Sequence, residues 1–213
     1  MGGTVSYLNE FREGWKVEAK TMEELREMDT LLSMFSHRSA RMIFEVGKSF
    51  EEESKHMPFQ EAWNYHLSDF IKINQAHASY LYLKSFVQDI KETKDESIKN
   101  VLLPLCFLFA LTNVEDHLGE FIVDGMLSPL QAEMVSKAVK YLLTEIRPNA
   151  VPLVDAWAMS DHLLDSSLGR YDGNVYQDLF ERAKQCSLNK KEVSDAYTLH
   201  LSKLIKGKIH SNL

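Results

Sequence analysis

Thr21-Met22-Glu23-Glu24-Leu25-Arg26-Glu27-Met28-Asp29-Thr30-Leu31-Leu32-Ser33-Met34-Phe35 is the stretch on which the fold class turns. Thr21 and Glu24 have the spacing of a capping box, in which the hydroxyl accepts one orphan amide and the carboxylate reaches back to another. Behind that start, Leu25, Met28, Leu32, Phe35, Met42, Val46 and Phe50 fall mostly at three- and four-residue steps, and no proline intervenes before Pro58. This is the period of a helix with one buried face, and it predicts a helix from Thr21 to about Lys55. A second stripe, from Trp63 through Leu67, Phe70, Ile71, Asn74, His77, Tyr80, Leu81 and Lys84 to Ile90, predicts a long antiparallel partner.

Working outward, Asp95 or Ser97 can cap a third helix. Its centre, Val101 to Leu111, is apolar all round and contains Pro104, which predicts a kinked helix enclosed by others. At eleven residues the run falls short of the roughly 20 needed to cross a bilayer. Ser128-Pro129 starts a fourth helix that ends before Pro148, and Asn149 caps a fifth, reaching about Leu164. Two shorter ones follow, Val175 to about Lys184 and Lys190 to about Ile205. No segment alternates as a strand does. The reading is all-α, a helical bundle of five to seven helices. Residues 1–20 hold three of the nine glycines and no period, and read as a linker that need not be ordered.

The whole chain agrees with that class. Its 213 residues include only nine glycines and five prolines, too few for the turns of a β-sandwich. At that length roughly 70% of the unfolded surface is buried on folding. The net charge of -7 repels phosphate backbones, which argues against a nucleic-acid partner. Cys106 and Cys186 have no redox or disulfide spacing, so a reducing compartment is expected. The opening Met1-Gly2-Gly3-Thr4-Val5-Ser6 fits the loose myristoylation pattern.

Few residues suggest chemistry. Glu53-x-x-His56 is the single Glu-x-x-His, where a di-iron bundle needs two, and Asp116-His117 and Asp161-His162 point about 100° apart on a helix, so no metal site is expected. Cys106 lies in the most apolar helix and reads as a small hydrophobe, while Cys186 lacks an activating cation cluster. No glycine-rich phosphate loop occurs. Asn74, His77, Asp155 and Asp161 read as satisfied polar groups, with Arg147 and Arg170 as candidate partners for the aspartates.

Leu168-Gly169-Arg170-Tyr171-Asp172-Gly173-Asn174-Val175-Tyr176 resembles the C-terminal signature of the peroxisomal acyl-CoA oxidases. Val154-Asp155-Ala156-Trp157 is similar to that family's Val-Asp-Ala-Phe, with tryptophan in place of phenylalanine. Leu188-Asn189-Lys190-Lys191-Glu192-Val193, Val5-Ser6-Tyr7-Leu8-Asn9 and Ala76-His77 resemble further family segments. The resemblance implies an acyl-CoA dehydrogenase/oxidase C-terminal helical domain over residues 21–210, following a linker from a flavin-proximal domain. For a full-length enzyme it implies FAD-dependent oxidation of a fatty acyl-CoA to the trans-2-enoyl-CoA, with oxygen reduced to peroxide, in a homodimer of the β-oxidation pathway. The Phe-Glu-Gly-Glu-Asn-type motif that carries the family's catalytic glutamate is not found here, so no catalytic residue is assigned and FAD is not expected to stay with this chain alone. Asp155, Gly169, Arg170, Tyr171, Asp172, Gly173 and Asn174 are then structural signature residues. Positive φ is expected at the glycines, and Asp172 or Asn174 is expected to cap the next helix. The last residues, Ser211-Asn212-Leu213, resemble the peroxisomal Ser-Lys-Leu without its basic residue. The implied compartment is the peroxisome, with the cytoplasm as the alternative. The rival functional reading is a non-catalytic helical scaffold from a truncated isoform.

Overall fold

The computed structural model describes residues 3–209, with side chains through residue 206. Gly2 of the acylation pattern and Ser211-Asn212-Leu213 lie outside the described residues. The chain divides into two compact units, Met1–Val151 and Pro152–Leu213. The described residues form eleven α-helical segments, several of only one turn, joined by turns and by the non-helical stretch 11–20, with no strand among them.

Thr21 caps as its sequence predicts, accepting from the Glu24 amide. The helix it starts, α1 (Met22–Leu25), breaks at once because Glu27 is extended, and α2 (Met28–Glu53) restarts behind it. The hydrophobic period runs through the break unchanged, which hides it from a periodicity reading. Likewise the second stripe divides at His66 into α3 (Phe59–Tyr65) and α4 (Leu67–Glu92). α2 and α4 are antiparallel: Phe50 near the end of α2 meets Phe70 near the start of α4 at 5.5 Å, and Asp29 and Lys91 approach to 3.9 Å at the other end.

Asp95 caps α5 (Glu96–Asp116) through the Ser97 and Ile98 amides, and the helix continues through Pro104. α5 is the one helix among the described residues that is both long and apolar enough to cross a bilayer. In this fold Cys106, Ala110, Leu111 and Val114 are instead sealed in the core, where α5 packs on α4. Enclosure is less complete than the sequence suggests, because Leu102, Leu103, Phe107, Leu108 and Phe109 are only partly covered. After α6 (Leu118–Ile122), the Ser128–Gln131 capping box opens α7 (Pro129–Ile146), which lies along α5.

Residues 3–20 are more ordered than a tether. Gly3–Glu10 forms a 3₁₀ helix, and Tyr7 and Val17 are buried in the first unit's core. Tyr7 Oη bonds Ser39 Oγ at 2.7 Å and His77 Nδ1 at 2.9 Å, tying the segment to both long helices. Gln131 Nε2 donates to the carbonyls of Val17 at 2.7 Å and Ala19 at 3.0 Å. The sequence shows no period there because the segment is held by polar anchors and not by a stripe.

In the second unit the expected fifth helix is cut short. α8 (Ala150–Asp155) ends before Ala158, whose φ of 50° is left-handed, and Ser160 caps the separate turn α9 (Asp161–Leu164). α10 (Val175–Gln185) matches its prediction. The last helix starts later than Lys190: a π-helical turn, Tyr197–Leu201, leads into α11 (Ser202–Ile209).

Candidate functional site: the signature loop and a buried charge cluster

The turn between α9 and α10 is built from alternating arginines and aspartates. Arg170 Nε donates to Asp172 Oδ1 at 2.9 Å and Nη2 to the other oxygen, a two-pronged grip, while Nη1 reaches Asp178 Oδ1 at 3.3 Å. Asp178 Oδ2 accepts from Ser167 Oγ at 2.6 Å and Arg182 Nε at 2.8 Å, and Arg182 Nη1 continues to Asp165 Oδ1 at 2.8 Å. The backbone is held the same way: the Tyr171 amide donates to Asp161 Oδ1 and the Asn174 amide to Asp172 Oδ1.

Several expectations are met here and some are corrected. Gly173 has the positive φ foreseen for it, at 69°, whereas Gly169 does not; a Cβ at Gly169 would come to 3.3 Å from the Leu164 Cδ1 methyl, which would have to shift by a few tenths of an ångström. Asn174 occupies the N-cap of α10 but makes no side-chain cap bond; Asp172 satisfies the Asn174 amide instead. Asp155, the last residue of α8, is exposed, with no side-chain bond among the described residues. Arg147 is exposed too, and Asn74 faces solvent on α4 instead of the core.

Hydrogen bonding to Arg170, reinforced by the Asn174 amide, holds the Asp172 carboxyl down at about 2. Ser167 and then Arg182 pull Asp178 below the usual carboxylate range. A carboxyl depressed on folding contributes stability above its unfolded pKa of about 3.9, and that contribution is lost as pH falls toward the folded value. A carbon-detected NMR titration should therefore place the Asp172 midpoint near 2, and Arg170→Gln should return it toward about 3.9. A wild-type midpoint at the ordinary value would show that the grip does not persist in solution.

The loop holds its backbone by polar contacts, and large side chains on it and beside it, at the end of α8 and the start of α10, are exposed. Tyr171, Tyr176 and Trp157 are 84%, 87% and 81% exposed. Ser167 is the one buried residue among the described residues of this unit. Since Arg170 and Arg182 neutralise Asp165, Asp172 and Asp178, none of those three carboxylates is free to act as a base. The arrangement presents a shaped surface.

In the first unit, sequence reading missed a charge cluster on α2. Arg38 is 1% exposed, its Nε donating to Glu120 Oε2 at 2.7 Å and its Nη1 to Asn113 Oδ1 at 3.1 Å, with the guanidinium 4.9 Å from the Phe121 ring centre. His37 Nε2 lies 2.9 Å from Asp124 Oδ2, so that nitrogen carries the proton, and Arg41 Nη2 donates to the Glu120 carbonyl. The signal was available: Leu31, Phe35, Arg38 and Met42 share one face of the helix, which puts the arginine on the apolar stripe.

The remaining candidates are scattered. Burial pushes the Cys106 thiol up to about 11, and Cys186 is exposed. His56 lies on the surface beside Glu52, and His117 Nδ1 bonds the Asn113 carbonyl at the end of α5. No three metal-ligating side chains converge among the described residues.

A family model for acyl-CoA oxidase matches residues 27–206. Peroxisomal acyl-coenzyme A oxidase 1 of Phascolarctos cinereus is 38% identical over 210 residues, covering 96% of this chain and 32% of that protein. The solved structure of Arabidopsis thaliana acyl-CoA oxidase 1 superimposes with a TM-score of 0.84 at 31% identity, covering 98% of this chain and 32% of that one. A Caenorhabditis elegans acyl-CoA oxidase-1 complexed with FAD and ATP gives 0.83 at 28% identity, over 97% of this chain and 31% of that one. The chain thus spans about a third of the length of the relatives it matches. With the helical order, the α9–α10 signature and these matches in agreement over nearly its whole length, this chain belongs to the acyl-CoA oxidase family.

Proposed function

We propose that the chain serves as the second, C-terminal helical domain of an FAD-dependent acyl-CoA oxidase, supplying packing and dimer surface while the catalytic base and flavin lie in other parts of the enzyme. The reaction class is conversion of a fatty acyl-CoA and oxygen to the trans-2-enoyl-CoA and hydrogen peroxide. The observation that carries this reading is the second unit's surface. Leu168 and Tyr171 on the α9–α10 loop, Trp157 just after α8 and Tyr176 in the first turn of α10 are all strongly exposed, and large exposed apolar side chains in such number support an interface.

The loop's own residues do not fit a flavin. A pyrophosphate needs free cations or amides, and Arg170 and Arg182 are committed to Asp172, Asp178 and Asp165. What these residues do is hold the backbone between α9 and α10 in one shape, so that the same aromatic face is offered to an adjoining domain or subunit. The names of the curated relatives support the peroxisome as the compartment.

Purified alone and incubated with FAD and palmitoyl-CoA, the chain should retain no flavin absorbance near ~450 nm and release no peroxide. Turnover by the isolated chain would contradict the reading.

A further inference from the structure

The chain contains two Asp-Gly dipeptides, Asp124-Gly125 and Asp172-Gly173. An aspartate followed by glycine rearranges readily through a cyclic imide, because glycine has no Cβ to hinder attack by its own amide nitrogen on the preceding side chain. The glycine nitrogen bonds to the aspartate Cγ, and the carboxyl hydroxyl leaves with the amide proton as water. Water then reopens the ring at either carbonyl. Opening at the main-chain carbonyl leaves an isoaspartate, in which the chain runs through the β-carboxyl, one methylene longer, and the former main-chain carbonyl is a free carboxylate.

Both dipeptides are held against this step in the same way. Gly125 and Gly173 have φ of 76° and 69°, and each donates its amide to the carbonyl three residues back, that of Ile122 at 3.0 Å and that of Arg170 at 3.2 Å. Each aspartate Oδ1 accepts the amide two residues on, from Met126 at 3.2 Å and from Asn174 at 2.9 Å. Basic side chains complete the hold. His37 Nε2 at 2.9 Å and Arg41 Nε at 3.3 Å flank Asp124 Oδ2, and Arg170 grips both oxygens of Asp172.

The two sites differ in depth and in how many residues guard them. The Asp124 side chain is 19% exposed and braced from α2 by two residues, whereas that of Asp172 is 50% exposed. At Asp172 a single residue, Arg170, supplies both the side-chain prongs and the carbonyl that engages the Gly173 amide. The ring cannot close until the carboxylate leaves the guanidinium and the amide leaves that carbonyl. Hydrogen bonding to Arg170 also holds the Asp172 carboxyl down at about 2, which keeps scarce the neutral acid that loses water most readily.

We propose that Asp172–Gly173 is a latent isoaspartate site and that Arg170 is the clamp that keeps it closed, so that loss of the clamp converts the signature loop to its β-linked form. The added methylene would displace the carboxylate from Arg170, and the turn between α9 and α10 would lose the shape its polar contacts hold. The inference concerns the loop's own covalent chemistry and does not rest on the oxidase reading.

For the test, the full chain is held at neutral pH and physiological temperature for several days and digested. Isoaspartate at each dipeptide is then quantified by enzymatic methylation and by chromatographic separation of the peptide isomers. Arg170→Gln should form isoaspartate at Asp172 about 10-fold faster than the wild type, through loss of a two-pronged charged grip. Asp124, guarded by other residues, should keep its wild-type rate in the same sample. Arg182→Gln releases Asp165 and loosens Asp178 without touching Asp172, and should leave the Asp172 rate unchanged. A wild-type rate equal to that of a free peptide spanning residues 168–176, or no acceleration in Arg170→Gln, would overturn the assignment. So would an equal acceleration in Arg182→Gln or at Asp124, which would trace the rearrangement to general loosening instead of the clamp.

Discussion

Arg38→Ala is expected to lower the free energy of unfolding by about 3–5 kcal/mol, measured as a fall in the urea midpoint followed by circular dichroism. Burial pulls the Arg38 guanidinium below its usual pKa while Glu120 pulls it back up, so a full cation sits in the core with Glu120 as its counter-ion. Removing it leaves the part-buried Glu120 carboxylate and Asn113 amide oxygen without their donor beside the cavity of a side chain that is itself 1% exposed, and both losses destabilise. Arg38→Lys should recover only part of the loss, because one ammonium cannot reproduce the forked contact to Glu120 and Asn113. A cost below about 1 kcal/mol would show that the cluster is no more than a surface pair in effect.

Phe121→Ala should cost a similar amount, about 3–5 kcal/mol, through the cavity left in the core. Phe121 is fully buried on the short helix α6, edge-on to Phe35 at 5.7 Å between ring centres and beneath the Arg38 guanidinium. A five-residue helix has little stability of its own, so this ring is what fastens α6, and with it Glu120, to α2. The two changes share a partner and should not add. The double variant is expected to fall short of the summed single costs by about 1 kcal/mol, and strict additivity would separate the ring from the charge cluster.

How far the sequence could be read follows from which signals are periodic. α2, α4 and α7 were legible because each buries one stripe, α5 because its centre, Val101 to Leu111, is a continuous apolar run, and Asp95 and Ser128 because caps are local chemistry. The breaks at Glu27 and His66 were not, since an apolar stripe continues across a one-residue interruption with its phase nearly intact. The ordering of residues 3–20 was hidden for another reason: Tyr7, Val17 and Gln131 act over separations of 32 to 114 residues, beyond any local window. At the signature loop the residue identities were recognisable, but the pairing of Arg170 with Asp172 and Asp178, and the exposure of Asp155, depend on where α8 and α9 stop.

The central claim is tested most directly by transplantation. The matched third of Arabidopsis thaliana acyl-CoA oxidase 1 would be replaced by this chain, and the purified chimera assayed for flavin content and for peroxide released from a long-chain acyl-CoA. The account predicts a folded chimera that keeps its flavin and turns over, beside a deletion of the same third that does neither. A folded chimera without flavin or turnover would contradict it.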